Sequence, residues 1–298
     1  MEKNVKRTAD RDTRPVFTGV YLLSMLIFGT NGLLVARISV SASQIVFMRT
    51  LLGGIALSLL VLLRGGFDKR AVRRESLWLL LGGIALGFNW IALFEAYRAL
   101  NVSLSILIYY VGPILILLFS PILFRERLSA RKLAAIGLVG IGLVLISGSI
   151  ALGGMSTRGL LTACLSALFY ASLIAINKRI SLTGGLQTAA IELDVAFAVV
   201  LLYVLFTVGL PQPEKSDWLW LVIIGLVNTA LAYFLYFTGL QKLPAQSAAL
   251  LSYADPVSAL FFSATVLHES MTGLQVLGAV LILGGAAFGE LRRREREK

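Results

Sequence analysis

The stretch "IYYVGPILILLFSPILFRERLSARKL" (residues 108–133) lies without a gap over "LSYADPVSALFFSATVLHESMTGLQV" (residues 251–276) at a single offset of 143. Tyr110 meets Tyr253, Pro113 meets Pro256, Glu126 meets Glu269, and Leu128-Ser129 meets Met271-Thr272. Earlier in each half, at an offset of 142, Ser24, Phe28, Arg37 and Ile38 lie over Ser166, Tyr170, Arg179 and Ile180. Self-similarity at one long period means that the chain carries two copies of one unit.

Composition says what the unit is made of. The 298 residues are 57% hydrophobic and 14% charged, with a mean hydropathy of +0.84, too apolar for a water-soluble globule. An apolar helix needs about 20 residues to cross the hydrocarbon core. Ten segments fit, at roughly 16–36, 43–63, 76–96, 101–122, 131–150, 158–177, 185–208, 218–239, 245–267 and 273–290. The first is expected as a retained anchor, because no small-residue cleavage pattern follows its basic lead.

With the N-terminus placed in the cytoplasm, 22 Lys and Arg residues fall in inward segments and four (Arg37, Arg98, Arg158, Lys215) in outward ones. That bias makes both termini cytoplasmic and explains the net charge of +11 without nucleic acid. The expected fold is therefore an all-α membrane protein of ten transmembrane helices, two inverted five-helix repeats. The repeats cover 16–152 and 153–290, between basic tails at 1–15 and 291–298. Five is odd, so the second copy crosses in the opposite sense and the axis relating the copies lies in the membrane plane. The expected location is the plasma (inner) membrane.

Cys164 and His268 are each alone in the sequence, which leaves no Cys/His metal cluster, disulfide framework or Cys/His nucleophile pair to consider. No Walker motif is present, so no cofactor is expected and energy would come from a gradient, with protons a candidate coupling ion.

The pattern resembles the drug/metabolite transporter superfamily in its EamA-type branch. The residues that carry the resemblance are "NWIALFEAYRALNVSLSILIYYVGPILILLFSPILFRERLS" (89–129) and "YFLYFTGLQKLPAQSAALLSYADPVSALFFSATVLHESMT" (233–272). The resemblance implies a multi-pass carrier for small metabolites, often an exporter, with a central cavity lined by the first, third, fourth, sixth, eighth and ninth spans. It implies no single substrate.

The residues supply their own candidates. A helix-interior proline lacks an N–H and crowds the carbonyl four residues back, so Pro256 and Pro113 are expected to free the Ser252 and Tyr109 carbonyls and to act as hinges. Asp255 shares a helical face with Ala248, Ser252, Ser258 and Phe262, expected to line a wet cavity. An intramembrane carboxylate is a functional candidate by default, here for a proton or cationic group; a structural bond to a neighbouring helix is the plainer alternative. Its repeat counterpart is Gly112, so the charge belongs to one copy.

Arg49, inside the second span, needs a partner: Asp255, Glu95 or a substrate carboxylate. Glu95 is expected either to pair with Arg98 or to serve the site, and Glu192 and Asp194 to snorkel toward the cytoplasm. Phe28, Asn31, Asn89, Trp90, Tyr109, Tyr110, Tyr170, Asn228, Tyr233 and Tyr253 offer rings and amides for an organic solute. Ser24, Phe28 and Asn31, with Ser166, Tyr170 and Asn177, are expected as matched cavity walls. The glycines at 137, 140, 142 and 148, and at 278, 284, 285 and 289, are expected in close helix packing, as scaffold or as the contact of a homodimer. Ser129 and Thr272 should cap the helices that follow them, with Gln275 completing a capping box.

The leading reading is a secondary transporter of amino acids or amines working by alternating access around a midplane site, as exporter or exchanger. A non-transporting scaffold or sensor, a membrane enzyme, and a carrier of sugars or nucleotide sugars are the alternatives.

Overall fold

The computed structural model describes residues 2–100, 102–147, 156–266, 268 and 272–290. The side chains of 2–14, the tail 291–298, Glu269, Met271 and Gly148 lie outside the described residues. Every described element is helical. Eight helices are long and apolar enough to cross a membrane: α1 (Pro15–Val35), α2 (Ala42–Leu63), α3 (Lys69–Ala99), α4 (Ser105–Phe124), α6 (Thr157–Asn177), α7 (Gly185–Thr207), α8 (Asp217–Lys242) and α9 (Ala245–Val266). The expected fifth and tenth spans are also helices, α5 (Ala130–Ser147) and α10 (Gly273–Glu290), but each has 18 residues and falls outside that set.

Local sequence sets the helix starts. Ser41 and Gln44 form a reciprocal capping box at α2, and the Asp68 carboxylate accepts the Arg70 and Ala71 N–H groups at 3.0 and 3.1 Å ahead of α3. At α10 the expected box is present, with Gln275 N–H donating to Thr272 Oγ1 at 3.2 Å and Thr272 N–H to Gln275 Oε1 at 2.9 Å. Three spans break internally. α1 turns at Thr30, after Gly29; α4 turns at Tyr110 and α9 at Ser252-Tyr253, in each case just upstream of Pro113 or Pro256. The Ser252 carbonyl is not left free as expected: Asp255 N–H donates to it at 3.1 Å, because the chain tightens into a shorter hydrogen-bonded turn at the break.

The helices pack in pairs that interchange when each is replaced by its counterpart five along. α3 packs on α6 and α1 on α8; α4 on α6 and α1 on α9; α3 on α7 and α2 on α8. The contacts α2 with α7, α4 with α9 and α5 with α10 are their own counterparts. The repeat also reaches individual bonds. Glu75 accepts the N–H groups of Ser181, Leu182 and Thr183 at 2.7, 2.9 and 2.8 Å, and Asp217, 142 residues on, accepts Ser39 N–H at 3.0 Å and Ser39 Oγ–H at 2.6 Å. Ser39 and Ser181 are themselves 142 apart. The start of α3 thus holds the α6–α7 turn, and the start of α8 holds the α1–α2 turn.

Glycine sets the α5–α10 crossing. A Cβ on Gly142 would stand 2.6 Å from the Gly278 carbonyl oxygen, and one on Gly278 would stand 2.7 Å from that of Gly142. Gly137, Gly140 and Gly284, expected in close packing too, have nothing within 4 Å. Their helix faces point away from the crossing. Gly142→Leu therefore lowers the Tm of the detergent-purified protein by several degrees, whereas Gly137→Leu leaves it within error; equal losses would remove the crossing as the cause.

Candidate functional site

Where the two broken helices cross, α4 and α9 join their tyrosines. Tyr253 Oη–H donates to the Tyr110 carbonyl at 2.8 Å, and Tyr110 Oη–H donates to Asp255 Oδ2 at 2.9 Å. Tyr253 is fully buried and Asp255 half-buried. Next to this pair the Tyr109 and Tyr170 rings stack at 4.9 Å and 6°, and Tyr109 meets Tyr110 edge-on at 5.2 Å. Across from them Phe28 and Tyr233 lie 5.0 Å apart, and Trp90 meets Tyr233 edge-on at 5.5 Å. These rings come from α1, α3, α4, α6 and α8. One carboxylate therefore sits at a helix break inside a largely aromatic enclosure, a setting suited to a cation, to a solute carrying an amine, or to a proton.

Of the expected stripe on α9, Ser252 lies beside the Tyr170 hydroxyl. Ser252 and Ala248 are fully buried, and Ser258 Oγ–H donates to the Asp255 carbonyl at 2.8 Å, against α1. Gly29 is the reason: any Cβ there would collide with Ser258 Oγ and the Ala259 nitrogen, so its absence lets α1 close on α9.

Arg49 has protein partners that sequence spacing did not suggest. Residues Leu226–Leu231 of α8 form one π-helical stretch, in which Thr229 Oγ1–H donates to the Ile224 carbonyl at 2.8 Å. Arg49 Nε–H donates to Thr229 Oγ1 at 2.8 Å and its Nη2–H to the Asn228 carbonyl at 3.0 Å. The guanidinium lies 5.1 Å from the centre of the Trp90 ring. Neither Asp255 nor Glu95 bonds it. A partner that is a backbone carbonyl in a widened turn carries no side-chain signature in sequence.

Asn228 is drawn into the same junction. Its Nδ2 donates to the Ile27 carbonyl and to Thr30 Oγ1, both at 2.8 Å, and so holds the break in α1 beside Asn31. Asn89 likewise turns to structure, donating to the Ser166 carbonyl at 2.7 Å. Glu95 lies at the far end of α3, where it accepts from Arg98 at 3.0 Å, Arg158 at 2.7 Å and Tyr203 at 2.5 Å. It ties the end of α3 to α6 and α7.

The matched walls are matched only in part. Ser24, Ser166 and Asn177 are fully buried, while Phe28 and Asn31 are half-buried. Asn177 instead faces Glu192, and Glu192 does not snorkel: it is fully buried, with Gly82 of α3 pressed against its carboxylate. Asp194 does reach an exposed face, where Ser58 Oγ–H donates to it at 2.6 Å.

At the opposite end of α4 and α9 the helices are tied shut. Glu126 accepts Ala245 N–H at 2.8 Å and Gln246 N–H at 3.1 Å and so caps α9. Gln246 bonds Ser120 and Lys132. Lys178 Nζ donates to the Leu240 and Leu243 carbonyls at the end of α8, and its burial pushes the ammonium down to about 8, against the opposing pull of Glu126. Tyr21, Phe237 and Leu250 are fully buried below the aromatic enclosure.

Paired helical halves around a half-buried carboxylate define a multi-span membrane protein with a polar site between its repeats. The chain belongs to the EamA-like transporter family, whose pattern matches twice, at residues 18–148 and 157–288. It is 28% identical over 282 residues to an uncharacterized transporter, YxxF, of Bacillus subtilis, covering 92% of this chain and 89% of that one. It is 26% identical over 218 residues to the aromatic amino acid exporter YddG of Ancylobacter novellus, covering 72% of this chain and 75% of that one. A crystal structure at 23% identity superposes with a TM-score of 0.81 over 92% of this chain and 97% of its own, which shows the shared fold.

The Arg49 geometry has a direct consequence. Arg49→Lys keeps the charge but cannot bond Thr229 and Asn228 from one planar group. It therefore lowers Tm in detergent, by more than Arg98→Lys at the exposed Glu95 pair; the reverse order would show that the π-helical junction is not a main support.

Proposed function

We propose that the protein is a secondary transporter, moving amino acids or amines by alternating access, with both termini cytoplasmic and Asp255 as the site of a proton or cationic group. The observation that carries the reading is the half-buried Asp255 carboxylate, bonded to Tyr110 where the repeats cross and enclosed by aromatic rings. Such a group is costly at mid-depth unless it binds something. The named activity of the YddG relative makes aromatic amino acids the first solutes to test. Sugar phosphates and nucleotide sugars fit less well, because Arg49 is already engaged by Thr229, Asn228 and Trp90.

In the reading proposed here, all ten helices span, α5 and α10 included, and the repeats are inverted. On that reading the chain is held open toward the outer face, which is supported by the half-buried Asn31, Tyr97, Tyr109 and Asp255 at one end and by the buried Tyr21, Phe237 and Leu250 with the Lys178 and Glu126 bonds at the other. Export would follow from release on the open side.

In proteoliposomes, Asp255→Asn is expected to abolish accumulation driven by a pH gradient while leaving the protein folded; wild-type rates with wild-type pH dependence in that variant would end the assignment. Lys178→Ala is expected to weaken the inner closure. A cysteine placed at Ala248 should then become several-fold more reactive to a membrane-impermeant reagent added on the cytoplasmic side, and unchanged reactivity would argue against the closure.

A further inference from the structure

Among the described residues one carboxyl group, not that of Asp255, is fully buried. Glu192 of α7 is 0% exposed. Its one described donor is the amide of Asn177 on α6, whose Nδ2 stands 3.0 Å from Oε1 and 3.1 Å from Oε2 and also donates to the Leu173 carbonyl at 3.1 Å. An amide nitrogen has two hydrogens, and one of them goes to Leu173. The carboxyl group therefore receives a single shared N–H. On the same amide, Asn177 Oδ1 is buried and has no donor. The Glu192–Asn177 pair thus holds more acceptors than donors in a place closed to water.

The charged and titratable groups around it are committed elsewhere. From α3, Gly82 presents backbone to the carboxyl group, and Glu75, at the start of that helix, is occupied by the Ser181–Thr183 N–H groups. From α6, Lys178 turns to the carbonyls ending α8. From α2, Arg49 turns to the π-helical stretch of α8. From α8, Tyr233 is within electrostatic range of Glu192 and belongs to the aromatic enclosure. On α7 itself, Asp194 turns to Ser58. No described cation bonds Glu192.

A carboxylate buried with one shared neutral donor and no cation lacks what compensates the loss of hydration. A proton removes the charge and also supplies the missing donor. We propose that Glu192 is a proton-binding site at the junction of α3, α6 and α7, distinct from Asp255, and that it holds its proton while the three helices pack as seen here. Transport coupled to protons would then involve an acid whose repeat counterpart, Thr50, has none. The inference rests on burial and bonding, and stands whether or not Asp255 is the substrate site.

Infrared spectroscopy of the full chain in lipid bilayers at neutral pH tests it through the carboxylic-acid C=O stretch. Glu192→Gln is expected to delete one component of that band, and Asp255→Asn to retain that component. Asn177→Leu, which keeps the acid and removes its donor, should shift the same component to higher frequency, and this serves if the Gln variant does not fold. An acid band of wild-type intensity in Glu192→Gln, or an unmoved band in Asn177→Leu, would overturn the proposal. Loss in the Asp255 variant alone would assign the proton to the transport site instead.

Discussion

A guanidinium cannot shed its proton and cannot be left unbonded among membrane-length helices, where even the lower measures of cost are about 2.5–3.5 kcal/mol. Arg49 is buried, and its requirements organise the middle of the molecule. They are met by Thr229 and the Asn228 carbonyl, which a regular α-helix would not present together; the π-helical stretch of α8 does. The same stretch aims Asn228 at the break in α1, so α1, α2, α3 and α8 meet at one charge with its Trp90 lid. Phe28, Trp90 and Tyr233 are placed by these four helices. The aromatic enclosure opposite Asp255 inherits its position from the bonding of an arginine that lies over one of its rings.

The two halves are tied by bonds that the repeat duplicates. Glu75 and Asp217 each cross from one copy to the other and take up the backbone of an interhelical turn. A contact present in both copies is kept when the copies are exchanged, so these ties belong to the frame that the repeat shares. Bonds present in one copy are different. Lys178, whose counterpart is Ala36, closes one end of the α8–α9 region, and no symmetric bond is available at the other. The difference between the two ends is therefore carried here by a polar side chain on a symmetric scaffold.

Several features were legible in the sequence. The Tyr110–Tyr253 register became the bond from Tyr253 to the Tyr110 carbonyl; the Pro113 and Pro256 positions became helix breaks; Thr272 and Gln275 became a capping box. Each is a local rule or a repeat of one. The Arg49 partner and the Glu192 setting were not legible. The first is a backbone carbonyl 179 residues away, and the second is decided by Gly82, which has no side chain to signal the approach of α3. The Glu75–Asp217 pair could have been found, since its offset of 142 matches that of Ser39 and Ser181, but nothing local marks either residue as a receiver of turn N–H groups.

By itself the sequence determined the class of molecule, its division into two related halves and the placement of one carboxylate beside a helix break. Hydropathy, periodicity and proline act on the chain within a few residues, and the repeat doubles their weight. Tertiary structure alone decided which polar groups are bonded into the frame and which stay partly exposed. In an apolar surround every polar group must find a partner, and most of those partners are far away in the chain. Arg49, Asn89 and Asn228 found theirs in neighbouring helices, leaving Asp255 half-buried with Tyr110 as its described partner.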